Sequence, residues 1–176
     1  MAGGNPTVIF PEPRKVAIED REIPRPGPGE VLLRTRATLI STGTELTILS
    51  GEFPPGSGWA EWAQYPFTPG YSNVGEVVEV GPGVDADWIG RRLGNWGNHT
   101  QYVVVPANEA SPSLRVIHRE EVSSAEAAFA TIGEITMNGV RRAGVAWGES
   151  VVVFGLGLLG QLVVRHCRLS GARPVF

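Results

Sequence analysis

Three glycines, Gly155, Gly157 and Gly160, stand as GxGxxG within VVVFGLGLLGQLVVRHCRLSG, residues 151–171. An unalternating apolar run, residues 151–154, precedes them, and a helical apolar pattern through Leu159, Leu162 and Val163 follows. Strand, glycine turn and helix in that order are what a dinucleotide site requires. The first glycine makes the tight turn, the second lets a pyrophosphate approach the backbone, and the third packs helix on strand. The free N–H groups at the helix start then face the phosphates. Gly155, Gly157, Leu158 and Gly160 are therefore the candidate cofactor contacts, for NAD or NADP. Elsewhere, His99 sits in GNHT ahead of an apolar strand. An imidazole titrating near neutrality suits proton donation, although a loop histidine at the surface is the ordinary alternative. His118 and His166 have no partners at motif spacing, and neither HExxH nor a Ser-His-Asp arrangement is visible.

To position that glycine turn, the chain must supply a strand buried on both faces of a parallel sheet, which residues 151–154 match. A full βαβ unit takes ~30 residues, and the acid that grips the ribose lies ~20 residues past the glycines. Only five residues follow Gly171, and 174–176 read as the opening of a second strand. The stretch is expected to be a dinucleotide-binding domain cut off inside its first unit. The position that would separate NAD from NADP lies past Phe176.

Upstream the pattern is β-rich. Residues 7–10 and 14–23 read as short strands, 24–30 as a turn cluster and 31–40 as the longest strand. Thr42 with Glu45 three residues later predicts a capping box opening a short helix that stops at Gly51. Residues 52–65 form a loop whose Trp59 and Trp62 either cover apolar surface or line a pocket. Strands at 74–80, 92–93 and 101–105 follow, and Ser123 with Glu126 caps a helix expected to run to about Arg142.

Of the 176 residues, 42% are hydrophobic and 19% charged, which is enough apolar material for a globular core. The net charge is −3 and the basic residues are scattered, so no footprint for nucleic acid appears. A single cysteine, Cys167, excludes an internal disulfide and fits a reducing cytosol. No apolar stretch resembles a signal peptide or approaches the ~20 residues of a membrane span, so the expected location is cytoplasmic.

Taken in order, I-STGTEL, PGYSNVGEVVEVGPGV, an Arg-Leu strand, HTQYVVVPA, a capped helix, GES and VVVFGLGLLGQL resemble the medium-chain dehydrogenase/reductase superfamily. These are the alcohol dehydrogenase-like proteins with a GroES-like catalytic domain. The resemblance implies a mixed α/β fold: a β-rich GroES-like barrel over residues 1–130, then an incomplete, doubly wound Rossmann domain. Residues 131–176 would be a bridging helix and the first βα unit. Substrate would sit in the cleft between the domains, and complete members commonly form homodimers.

Zinc-dependent members carry Cys before an acid in a CxTD-like segment and His, often with Glu, in GHE. Here those positions hold Thr42 and Tyr71-Ser72, residues 130–131 offer no ligand, and the four-cysteine lobe is absent. Thr, Tyr and Ser do not make a zinc site. The resemblance is thus to the zinc-free branch of bacteriochlorophyllide dehydrogenase-like and bi-domain oxidoreductases. It implies hydride transfer between NAD(P)H and a small alcohol or carbonyl, with no metal, nucleic acid or membrane partner. Thr44 then matches the hydroxyl beside the reacting oxygen. Tyr71 stands at a former ligand position, where a phenol with an ordinary pKa of ~10 serves as donor rather than base. Thr44, Tyr71 and His99 are the catalytic candidates. Asn73 offers an amide nearby, and Glu134 in the bridging helix is the carboxylate to test there. The alternative is a GroES-like binding or scaffolding module without turnover, which would not need Gly157.

Overall fold

In the computed structural model, which describes residues 4–176, the chain divides between Ala128 and Phe129 into two units. The first begins with a hairpin in which β1 (Asn5–Ile9) pairs antiparallel with β2 (Ala17–Arg21). The second strand is shorter than residues 14–23, because Arg14 adopts φ 61°, a left-handed conformation that no strand continues through. β3 (Glu30–Thr38) follows, and it pairs along both edges in a five-stranded antiparallel sheet.

Between β3 and the next strand lie two helices, α1 (Thr42–Ser50) and α2 (Trp59–Trp62). α1 starts one residue earlier than a Thr42 cap implies. Ser41 is the N-cap and gives no side-chain capping bond; its own N–H donates to Glu45 Oε1 at 2.9 Å. Gly51 closes the helix at φ 69°. α2 is a single turn within the otherwise expected loop. Trp59 stacks on Phe53 with ring centroids 6.4 Å apart, and Trp62 meets Phe67 edge-on at 5.6 Å. Trp59 and Phe67 pack against the buried cluster of Phe10, Ile48 and Ala63, so that indole covers core.

The sheet is completed by β4 (Asn73–Val80), β5 (Arg92–Asn95), β6 (Tyr102–Pro106) and β7 (Leu114–Val116), in the order β6-β3-β4-β5-β7. Alternation places Val31 and Leu33 on one face, where both are fully buried with Val77, Leu93, Val105 and Leu114. Register shifts at Leu32/Leu33 and Thr35/Ala37 bend β3 against β4 and curl the sheet into a half-barrel. α3 (Ser124–Ala127) ends this unit, with the Ser123/Glu126 capping box formed in both directions.

The helix expected to continue to Arg142 is interrupted. Ser72 Oγ donates to the Ala128 carbonyl at 2.5 Å, and α4 (Ala130–Arg142) begins afresh in the second unit. That unit also holds α5 (Leu158–Leu169) and a cluster built on Val140, Cys167 and Ala172, with Val151, Val163 and Val175 against it. Val151 bridges Val175 in parallel, and Val153 N–H donates to the Phe176 carbonyl. The expected burial of residues 151–154 on both faces does not occur. Val151 packs on the cluster, whereas Val152 and Phe154 are 59% and 95% exposed. A parallel strand is buried twice only where layers cover both its faces, and this unit's cluster lies on one.

Candidate active site

The first turn of α1 gathers two of the three catalytic candidates. Tyr71 Oη donates to Ser41 Oγ at 2.5 Å, and His99 Nε2 lies 2.8 Å from Glu45 Oε2. Thr44 is half-buried on that same turn. Ser41 and Glu45 are themselves joined, since Ser41 N–H donates to Glu45 Oε1. Tyr71, Ser41, Glu45 and His99 therefore form one connected polar chain.

Two backbone segments bring His99 there. Gly70 adopts φ 105°, and a Cβ at that position would stand 2.6 Å from His99 N and 2.9 Å from Asn98 Cα. Only glycine permits that approach. The contact is tied by His99 N–H to the Pro69 carbonyl at 3.0 Å, and by Asn98 Nδ2 to the carbonyls of Thr68 and Gly70 at 2.9 and 3.0 Å.

His99 is not the surface loop residue that its Gly/Asn-rich flanks imply. Its side chain is 8% exposed and that of Glu45 is 4% exposed. Its other ring nitrogen, Nδ1, is buried and has no hydrogen-bond partner among the described residues. Leaving such an atom unpaired costs about 1–3 kcal/mol. Sequence reasoning assigned Glu45 to capping alone. The residue does reach back to an N-cap N–H, but its second oxygen holds a histidine 54 positions away, and no local pattern reports that pairing.

Asn73 is a strand residue whose amide is already bonded within the protein. It opens β4 at 1% exposure, with Nδ2 donating to Thr35 Oγ1 and the Asn98 carbonyl and Oδ1 accepting from Asn95 Nδ2. Its amide is committed to the scaffold behind the site.

The positions that would ligate zinc do not fit that ion. Thr42 is exposed, the Tyr71 hydroxyl is engaged with Ser41, and the Ser72 hydroxyl is buried on the Ala128 carbonyl. Among the described residues, no group of three or more His, Cys, Asp or Glu side chains comes together to hold a metal. Neutral hydroxyls bound elsewhere are poor zinc donors.

In the second unit the glycine turn suits a dinucleotide. Gly155 has φ 90°, and a Cβ on Gly160 would lie 1.8 Å from the Gly155 carbonyl oxygen. Gly157 is the N-cap of α5 with open space where a Cβ would stand, and no side chain caps the helix. Leu158 is the first helical residue. A pyrophosphate would meet the uncapped N–H groups there, without a side chain between. Glu134 lies in α4.

Residues 27–115 match the family model for the alcohol dehydrogenase GroES-like domain. The chain is 33% identical over 190 aligned positions to L-threonine 3-dehydrogenase of Pyrococcus abyssi, covering 88% of this chain and 50% of that protein. It is 28% identical to 2-desacetyl-2-hydroxyethyl bacteriochlorophyllide A dehydrogenase of Cereibacter sphaeroides, covering 95% of this chain and 54% of that one. Among solved structures, acetophenone reductase from Geotrichum candidum in complex with NAD superposes with a TM-score of 0.81 at 21% identity. That match covers 99% of this chain and 57% of the reductase, and it shows a shared fold. The chain spans about half the length of the curated relatives it matches. Among the described residues, no helix is long and apolar enough to cross a membrane.

Proposed function

Since this chain belongs to the medium-chain dehydrogenase/reductase superfamily through its GroES-like domain, we propose that it is part of an NAD(P)-dependent oxidoreductase that works without zinc. The observation that carries this reading is the glycine turn on α5: a left-handed Gly155, an open Gly157 and a Gly160 that no larger residue could replace. A chain with no dinucleotide to bind would have no use for the open Gly157 N-cap. The relatives' coverage supports the view that residues 1–176 are one half of a two-domain enzyme.

A bound NAD(P) would supply or accept hydride through its nicotinamide, and Gly155, Gly157, Leu158 and Gly160 would hold its pyrophosphate. The protein's own part is to orient the alcohol or carbonyl oxygen and move its proton. Thr44 presents a hydroxyl from the first turn of α1. Tyr71 gives its one O–H to Ser41 Oγ, so it is not the free donor its sequence position implies and keeps only lone pairs for a neighbouring hydroxyl. His99 offers Nδ1, which has no partner among the described residues. In place of a metal, the Thr44 hydroxyl would donate to the charge that develops on oxygen, while an acceptor takes the proton. A homodimer of the whole protein in the cytoplasm is part of the same proposal, in line with a lone, buried Cys167.

The test is titration of the whole protein, as its cell makes it, with NADH and NADPH by fluorescence, together with its metal content by mass spectrometry. Saturable cofactor binding with substoichiometric zinc is expected. Turnover is then sought with L-threonine and short secondary alcohols as probe substrates. One equivalent of tightly held zinc would overturn the metal-free mechanism, and failure to bind either cofactor would favour the binding-module reading.

A further inference from the structure

We propose that Glu45 is a positioning residue that holds His99 as the Nε2–H tautomer, so that Nδ1 is presented as an acceptor for one hydroxyl proton. Two things fix the carboxylate. Glu45 sits in the first turn of α1, and its Oε1 already accepts the Ser41 N–H. An ionised carboxylate only accepts, so the hydrogen between Oε2 and Nε2 belongs to the ring, the stronger base of the two group types. The neutral imidazole then has its lone pair on Nδ1, the buried atom with no hydrogen-bond partner among the described residues. A proton arriving there from a hydroxyl leaves an imidazolium whose far side already faces a carboxylate, as proton transfer near neutrality requires. The same arrangement serves a substrate hydroxyl or an internal water that passes the proton on. The catalytic consequence rests on the proposed oxidoreductase function; the tautomer does not.

The isosteric Glu45→Gln variant makes the inference testable. Ser41 N–H needs an oxygen, so the single Gln oxygen stays with Ser41 and the amide NH2 turns to Nε2. Nε2 must then accept, and the ring proton moves to Nδ1, which becomes a donor. Whole protein labelled with 15N-histidine is examined above pH 8, with the His99 signal assigned by its loss in His99→Gln. The wild type is expected to show protonated Nε2 and bare Nδ1, and Glu45→Gln the reverse. A wild-type His99 with Nδ1–H, or with both nitrogens protonated, would overturn the proposal even if Glu45→Gln failed to fold. Adding 2-propanol as a probe separates the sources: movement of the Nδ1 resonance marks a substrate hydroxyl, and a fixed resonance marks water. Both agree with Nδ1 as acceptor. In turnover with whichever probe substrate reacts, Glu45→Gln is expected to lower kcat at least ten-fold while leaving NADH affinity within two-fold. Inverted tautomers with unchanged kcat would make Glu45 merely structural. A wild type that turns over no probe while showing the expected tautomer would reject the oxidoreductase reading and spare the assignment of Nδ1.

Discussion

At the scale of single residues, the site depends on how closely two loops approach. Gly70 carries both a left-handed φ and a contact distance that no side chain tolerates, with His99 N where a Cβ would need room. Gly70→Ala is expected to lower stability by about 2 kcal/mol, read as a shift in the urea midpoint. The same substitution displaces His99, so the histidine should become more exposed and exchange its ring proton faster. A midpoint unchanged from wild type would mean that residues 69–71 relax away from 98–99 without cost. In the sequence Gly70 only precedes Tyr71, and His99 stands as a lone imidazole. That one exists to admit the other is a matter of three-dimensional approach, invisible across 29 positions.

At the scale of elements, helix starts show what local sequence can and cannot specify. Ser123 and Glu126 form their capping box as the S-x-x-E pattern demands, because both partners lie within one turn. The Ser123 hydroxyl and then its N–H hold the Glu126 carboxyl below its ordinary range. A carboxyl with a depressed folded value stabilises above its unfolded pKa, and this contribution is lost as pH falls through the folded value. Ser123→Ala is expected to reduce the depression to what the retained backbone N–H supplies, seen by NMR titration of the Glu126 side chain. It should also cost about 1 kcal/mol from the lost cap. A Glu126 titration identical in the variant would show that the box is not formed in solution. The pattern T-x-x-E at Thr42 looked equally good and gave a different result. There Glu45 is drawn inward by His99, and the helix takes its start from Ser41 instead. A tertiary partner overrode the local motif.

For the whole molecule, the two units answer to different needs. The first has a sheet core of Val31, Leu33, Val77 and Leu93, with satisfied polar groups behind the site. The second exposes Val152, Phe154 and Leu156 beside its glycine turn. Gly160→Val is expected to push α5 away from Gly155, because the first branch atom would overlap a carbonyl oxygen. In the whole protein it should weaken NADH at least ten-fold while leaving urea unfolding of the GroES-like unit unchanged. Equal NADH affinity in variant and wild type would show that the dinucleotide does not sit on this turn.

The sequence alone determined what depends on neighbours along the chain. The glycine turn leading into α5, the short strands between Gly/Pro turns and the Ser123 capping box were all read from residues a turn or a strand apart. Their ordered landmarks were enough to name the superfamily. Tertiary structure decided what depends on residues far apart: that Glu45 and Ser41 anchor His99 and Tyr71, and that Asn73 is scaffold. It also decided that residues 151–154 have one covered face. Hydrogen bonds at 2.5–3.2 Å between residues far apart in the chain depend on the path of the whole backbone. Burial depends on which layers are present to cover a face, and neither is encoded in spacing.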